Sequence, residues 1–342
     1  MQANVDLSPY NTFRVAAVAK RYLELNAIED LPLEPALYLG SGANILFVKP
    51  KIDFVVKNNL KGKKIIKESD VEVILEIASG ENWHEFVMWT VNNGWSGIEN
   101  LADIPGTVGA APVQNLAAYG QNVGENIQTI TGFNLETRTI ETLSYQQCKL
   151  FYRDSIFKHE LRDKFFITSV TFRLYKSDHF ATDYYSRYES LKSYLPQNPT
   201  PKTVAEAVTK IRIDKLPDWR TIGTAGSVFK NPFVTKKRYD ELAKEVKQLQ
   251  MYPINKMLYP NPDDPVFKMT DMVKIPAGRL LDELGWLGKR IGNVSTHPKH
   301  ALIVINLGGA TGQEIFDYIL QMQSSVKKAY GIDLEPEINI VK

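Results

Sequence analysis

Apolar positions in this chain come in short runs broken by Gly, Pro and Asn, and the runs carry two different spacings. At 71–78, VEVILEIA alternates, with Val71, Val73, Leu75 and Ile77 on one side. A two-residue period predicts a half-buried strand. ALYLGSGANILFV at 36–48 reads as strand, tight glycine turn, strand, and IDFVVKN at 52–58 as a further strand. Strands are also predicted at 127–134 and 165–174, in HALIVINLGG at 300–309 and in LEPEINIV at 334–341. Elsewhere the period is helical. SGENWHEFVMWTVNNG places Phe86, Val87, Thr90 and Val91 on one face, with Gly94 as a stop. Thr200 caps and Pro201 opens a helix over about 201–213, ended by LPD at 216–218. AGRLLDELGWLG at 277–288 predicts a short helix. Residues 312–330 predict a long one, with Ile315, Tyr318, Ile319, Met322, Val326 and Ala329 along one side and Gly331 at its end. PINKMLYPNPDDPVFKM at 253–269 reads as a long loop. Strand and helix mix without strict alternation, and the predicted class is α+β.

Composition narrows the function classes. At about 150 residues per domain, 342 residues imply two or three domains. With 41 basic and 39 acidic residues the net charge is +2, which gives no reason to expect nucleic acid or an acidic membrane as partner. The basic run Lys61-Gly62-Lys63-Lys64 reads as a solvated loop. One cysteine, Cys148, excludes an internal disulfide and suits a reducing compartment. MQANVDLSPYNTF lacks the pattern of a secretory signal, and no apolar stretch is long enough to span a membrane. HPKH at 297–300 has no cysteine or carboxylate close by, so no metal site is expected.

Two glycine-rich regions attract attention. Gly40-Ser41-Gly42 fails as a dinucleotide fingerprint, because Ile45 stands where a third small residue should open a helix. Gly106-Thr107-Val108-Gly109 lacks the Lys-Ser/Thr of a P-loop. Yet GIENLADIPGTVGAAPVQNLAAYG at 97–120 offers turns whose backbone amides suit an anion. Two such loops suggest a phosphate-bearing ligand between them; a pair of tight surface loops is the plainer alternative. In GTAGSVFKNP at 223–232, small residues around Ser227 leave its hydroxyl unobstructed, although a glycine turn before a strand explains the same letters. Arg153, in YRDSIFK at 152–158, has the fork that clamps a carboxylate, or else pairs with Asp154 at the surface. Glu337, in LEPE at 334–337, reads as an acid just inside the last strand.

Taken in order with NTF at 11–13, GSGANILF at 40–47 and KLPD at 215–218, these blocks resemble the UDP-N-acetylenolpyruvoylglucosamine reductase (UDP-N-acetylmuramate dehydrogenase) family, flavoenzymes of bacterial cell-wall synthesis. The likeness runs nearly end to end. It implies a two-part FAD-binding domain of the vanillyl-alcohol-oxidase/PCMH type, at 1–60 and at 61–217 joined by the C-terminal strand 334–342. An α+β substrate domain would occupy 218–333. It also implies a monomer in the cytoplasm, with NADPH as co-substrate and UDP-N-acetylglucosamine enolpyruvate as substrate.

The residues implied to hold FAD are Gly40, Ser41, Gly42, Ala43 and Asn44 in the first loop. In the second they are Ile104, Pro105, Gly106, Gly109, Ala110, Gln114, Asn115, Ala118, Tyr119 and Gly120. The implied chemistry passes hydride from NADPH to FAD and on to the enolpyruvyl ether. Ser227 matches the proton donor to carbon. Arg153 matches the holder of the substrate carboxylate, and Glu337 helps it if it carries or shares a proton. Lys215 and Asn231 match residues that hold the UDP-sugar. Tyr188 matches the tyrosine that closes over the diphosphate in the subgroup with the extra loop; Tyr184 and Tyr185 lie close by. Two departures stand out. Ala117 replaces a usual glycine, which costs roughly 1 kcal/mol if its φ is positive. Ala110-Ala111 replaces a small polar pair, removing a hydroxyl from the FAD loop. A rival FAD-dependent oxidase of similar plan often tethers flavin through a His or Cys, and none stands at 36–60; FAD is therefore expected to be non-covalent. A non-catalytic nucleotide-sugar binding protein would need no Ser227, Arg153 and Glu337 together.

Overall fold

A computed structural model describes residues 1–177, 180–182, 191–254 and 271–342. The architecture is α+β, built on three principal sheets that follow one another along the chain. The first runs Gln2–Asp6, Val18–Leu25, Lys51–Asn58, Leu37–Leu39, with its last two pairings parallel. The second is antiparallel throughout, in the order Thr139–Ser144, Ile127–Asn134, Phe165–Tyr175, Glu72–Ala78, Lys63–Glu68. The third runs Gly223–Ser227, His300–Asn306, Val294–His297, Arg290–Ile291.

The second and third sheets each bury a face under a helix whose apolar stripe is readable in the chain. Trp83–Asn92, capped by the Asn82 side chain, lays Phe86 against Phe172 of the second sheet with ring centroids 5.0 Å apart. Gly312–Tyr330 buries Ile315, Tyr318, Ile319, Met322 and Val326 in the core of the third. A reciprocal Thr311–Glu314 capping box starts it and left-handed Gly331 stops it. Pro201–Lys215 opens on a Thr200 capping box and runs two residues past the predicted end.

Several expectations are corrected. Val71 is 69% exposed and the strand starts at Glu72, with Ile74 buried as well, because both faces of this central strand are covered. Lys63–Glu68 is no loop but a fully exposed edge strand, whose lysines discourage further pairing. The two strands flanking the first glycine loop are not partners: Leu37–Leu39 joins the first sheet, while Ile45–Phe47 pairs in parallel with Asn339–Val341. The last strand thus makes its ladder with a strand of the segment 1–60. It is also shorter than predicted, and Glu337 precedes it.

Candidate active site

The site begins with the serine segment, which is a strand rather than a turn before one. Gly223–Ser227 pairs antiparallel with His300–Asn306, and its register slips between Thr224 and Ser227. Such a bulge re-aims a side chain. Gly226 makes it possible: its φ is +75°, and a Cβ there would meet nothing within 4 Å. The glycine is thus required by backbone angle, and nothing beyond its chain neighbours crowds the position. Beyond Ser227 the chain turns inward, with Val228 and Phe229 buried in the core.

The C-terminal segment lies along this inward stretch. Val228 O accepts from Glu337 N at 2.8 Å, and Lys230 N donates to Glu335 O at 2.9 Å. Glu337 is thereby carried to the same rim as Ser227. Arg153 arrives from the second sheet's side, on a tight turn in which Phe151 N and Asp154 O are 2.9 Å apart and Arg153 itself has φ +54°. The turn is fastened by Ser155 Oγ donating to Val113 O at 2.6 Å and Asn115 Nδ2 to Phe151 O at 3.0 Å. Arg153 Nε then stands 3.0 Å from Glu337 Oε1. The alternative pairing with Asp154 does not occur, since Asp154 faces His159 at 2.8 Å.

These groups open on one cleft of about 510 Å³. Ser227, Arg153, Glu337, Lys215 and Asn231 all border it. From the first glycine loop Ala43 and Asn44 reach it, and from the second Ile104, Pro105, Gln114, Ala118 and Tyr119. Asn44 Nδ2 knots the parts together, donating to Gln114 Oε1 at 2.6 Å and to Glu337 O at 3.1 Å. Gly40, Ser41, Gly42, Gly106, Gly109, Ala110, Asn115 and Gly120 do not border the cleft. Asn115 is 2% exposed, with its amide spent on Phe151 and Gly124. Ala117 has no positive φ; the left-handed residues are Tyr119 and Gly120 at the hairpin tip. The alanine therefore costs nothing of the kind expected. Tyr188, Tyr184 and Tyr185 lie outside the described residues.

A flavin dinucleotide fits part of this arrangement directly. Ser41 Oγ is buried with no hydrogen-bond partner among the described residues, in the loop that leads to Ala43 and Asn44. Buried hydroxyls are seldom left so. Gly42, at φ +69°, brings its backbone so close to Tyr10 that a Cβ would lie 1.9 Å from the Tyr10 carbonyl oxygen. The amides of Val108, Gly109, Ala110 and Ala111, by contrast, donate to Glu81, Ser79 and Thr107 inside the protein. That turn wedges the second loop in place, and the cofactor would be held by the first loop and the cleft walls.

Other cleft residues carried no signal in isolation. Arg212 precedes Lys215 by one helical turn and is buried against Asp103 O at 3.2 Å. His300 borders the cleft, and burial holds its imidazole below the ordinary range, His297 acting the same way. Off the cleft wall, Lys274 sits 4.3 Å over the Tyr152 ring, and burial, reinforced by Arg153, pushes its ammonium down to about 8. Helical spacing could have linked Arg212 to Lys215; Lys274 becomes visible only once the strand Met272–Lys274 is placed beside Phe233–Thr235. NTF also gains a reason. Thr12 N donates to Gly42 O at 3.0 Å, and Thr12 O accepts from Thr224 N at 2.8 Å, clasping the first loop to the serine strand.

Comparison with known proteins agrees with this assembly. The model for the UDP-N-acetylenolpyruvoylglucosamine reductase C-terminal domain matches residues 217–341, and that for an FAD binding domain matches 33–136. The UDP-N-acetylenolpyruvoylglucosamine reductase of Flavobacterium johnsoniae is 37% identical over 100% of this chain and 99% of its own. That of Chromobacterium violaceum is 38% identical over 98% and 97%. The crystal structure of the reductase from Thermus caldophilus superposes with a TM-score of 0.65, covering 99% of this chain and 98% of that one at 20% identity, a likeness of fold. Relatives of this identity, aligned from end to end, place the chain in the UDP-N-acetylenolpyruvoylglucosamine reductase family.

Proposed function

We propose that the chain reduces UDP-N-acetylglucosamine enolpyruvate to UDP-N-acetylmuramate, with Ser227, Arg153 and Glu337 as its catalytic residues. The observation that carries this reading is their convergence: three residues from distant segments border one cleft, two of them 3.0 Å apart. FAD, when bound, supplies the hydride chemistry, with NADPH as reductant. The protein's part is position and charge. Arg153, positive throughout, receives the substrate carboxylate and holds it as negative charge grows there. Glu337 aims the guanidinium through their ion pair. Ser227 delivers a proton to the adjacent carbon from a bulged strand whose glycine leaves room for approach. Lys215 faces the diphosphate, and Asn231 braces the wall, its Oδ1 accepting from Ala277 N at 3.0 Å.

The same reading includes a cytoplasmic monomer and Tyr188 as the tyrosine that contacts the diphosphate. It also includes a division into 1–60, 61–217 and 218–333, supported by one sheet in each stretch. An anaerobic assay tests the function: protein reduced by NADPH is mixed with the enolpyruvyl substrate. Return of the oxidised flavin spectrum with formation of UDP-N-acetylmuramate is the expected result, and a flavin that stays reduced counts against it.

A further inference from the structure

We propose that Trp219 is a flavin-binding residue, its indole N–H directed to an acceptor atom of the bound dinucleotide. The inference rests on the reading that this cleft holds FAD. Trp219 borders the cleft from the linker between the end of Pro201–Lys215 and the serine strand. Its Nε1 is buried with no hydrogen-bond partner among the described residues. A buried indole N–H normally finds an acceptor. Two other tryptophans of this chain follow that rule: Trp83 Nε1 donates to Leu101 O at 2.9 Å and Trp286 Nε1 to Ser325 Oγ at 2.7 Å.

The Trp219 ring is also held in place. The Arg220 guanidinium lies over it, 4.7 Å from the centroid. That guanidinium is fixed by Asp103 Oδ1 at 2.5 Å and Asp218 Oδ1 at 3.3 Å, and Arg14 donates to the Arg220 carbonyl. Asp103 immediately precedes Ile104 and Pro105, which form part of the cleft wall. The indole is thus tied to the second glycine loop, with a fixed donor and no acceptor among the described residues. A neutral N–H on an aromatic plane suits the carbonyl and imine acceptors of a flavin ring. It suits a diphosphate less well, since cations are already at hand in Lys215 and Arg212.

Trp219→Phe keeps the ring and the cation above it but deletes the donor, and Trp219→His keeps a ring N–H. FAD is titrated into the apo-proteins, following quenching of flavin fluorescence, and substrate binding to the FAD-loaded proteins is measured by calorimetry. Trp219→Phe should raise the Kd for FAD about 5- to 10-fold, the worth of one hydrogen bond. It should leave substrate affinity unchanged, and Trp219→His should recover part of the loss. A Kd for FAD within about twofold of wild type overturns the proposal, as does a loss confined to substrate binding. If Trp219→Phe does not fold, the wild-type apo-protein decides: one indole N–H signal should shift and become protected from exchange on adding FAD, and no such change overturns the proposal. Wild-type protein that takes up no FAD overturns the cofactor reading and this proposal with it, whereas uptake by wild type with an unaffected variant overturns the proposal alone.

Discussion

A serine hydroxyl is a feeble acid, and the proton proposed to leave Ser227 can pass only to a partner as basic as a carbanion-like carbon. Ser227→Ala should therefore separate the two half-reactions. Flavin reduction by NADPH should stay within about a few-fold of wild type, while reoxidation by the enolpyruvyl substrate should fall ~10²–10⁴. Stopped-flow absorbance measures both, and equal slowing would make Ser227 a residue that shapes the flavin site. Lys274 offers a test by pH. Its folded ammonium is held at about 8, below the ordinary value near 10.4, so the unfolded chain binds the proton more tightly. Stability from this group is lowest below pH 8 and rises as pH climbs from about 8 toward 10.4. Lys274→Met should flatten that rise, read as the difference between the two proteins' unfolding free energies over this window. Coinciding pH dependences would contradict the assignment.

Among the elements, two left-handed glycines predict opposite failures. Gly42→Ala drives a Cβ into the Tyr10 carbonyl oxygen, and the first loop cannot close without moving the chain around it. Little folded protein should be recovered, as circular dichroism would show. Gly226→Ala meets no atom and costs only about 1–2 kcal/mol of backbone strain. It should fold, then lose activity because the methyl group enters the space beside Ser227. A fully active Gly226→Ala would remove that argument. What was legible follows from the range of the cause. The bounds of helix 312–330 were readable, because the apolar stripe and the glycine stop are local, although in the last turn Tyr330 is buried and Ala329 is exposed. The strands 127–134 and 165–174 were readable for the same reason. The partners of Leu37–Leu39 and Ile45–Phe47 were not, since adjacency in the chain suggested a hairpin and the actual pairings are long-range. At the site, composition and spacing could not join Arg153, Ser227 and Glu337; the family resemblance did. Trp219 escaped notice because an unsatisfied donor becomes visible only when its surroundings are assembled.

Across the whole molecule, small polar clasps hold the connecting segments in place. Asn11 is 4% exposed and bonds Leu7 O, Val15 O and Val15 N at 2.8–3.0 Å. Asn306 Nδ2 reaches Phe13 O at 2.9 Å. Asn11→Ala strips Val15 N and Val15 O of their partner, while Leu7 O keeps its bond from Tyr10 N, and should destabilise the protein by about 2 kcal/mol, measured by urea unfolding. Catalysis in the fraction that remains folded should be unchanged; a loss below about 1 kcal/mol would show the clasp to be ornamental. The bond from Asn44 to Glu337 spans 293 residues, and this carries a kinetic consequence. Contacts between such distant segments form late, after the chain between them has condensed. A flavin present from the first moment of refolding meets no finished binding site until that closure. It should leave the refolding rate unchanged while slowing escape from the native state, acting as a lock on the completed protein rather than as a template for its assembly.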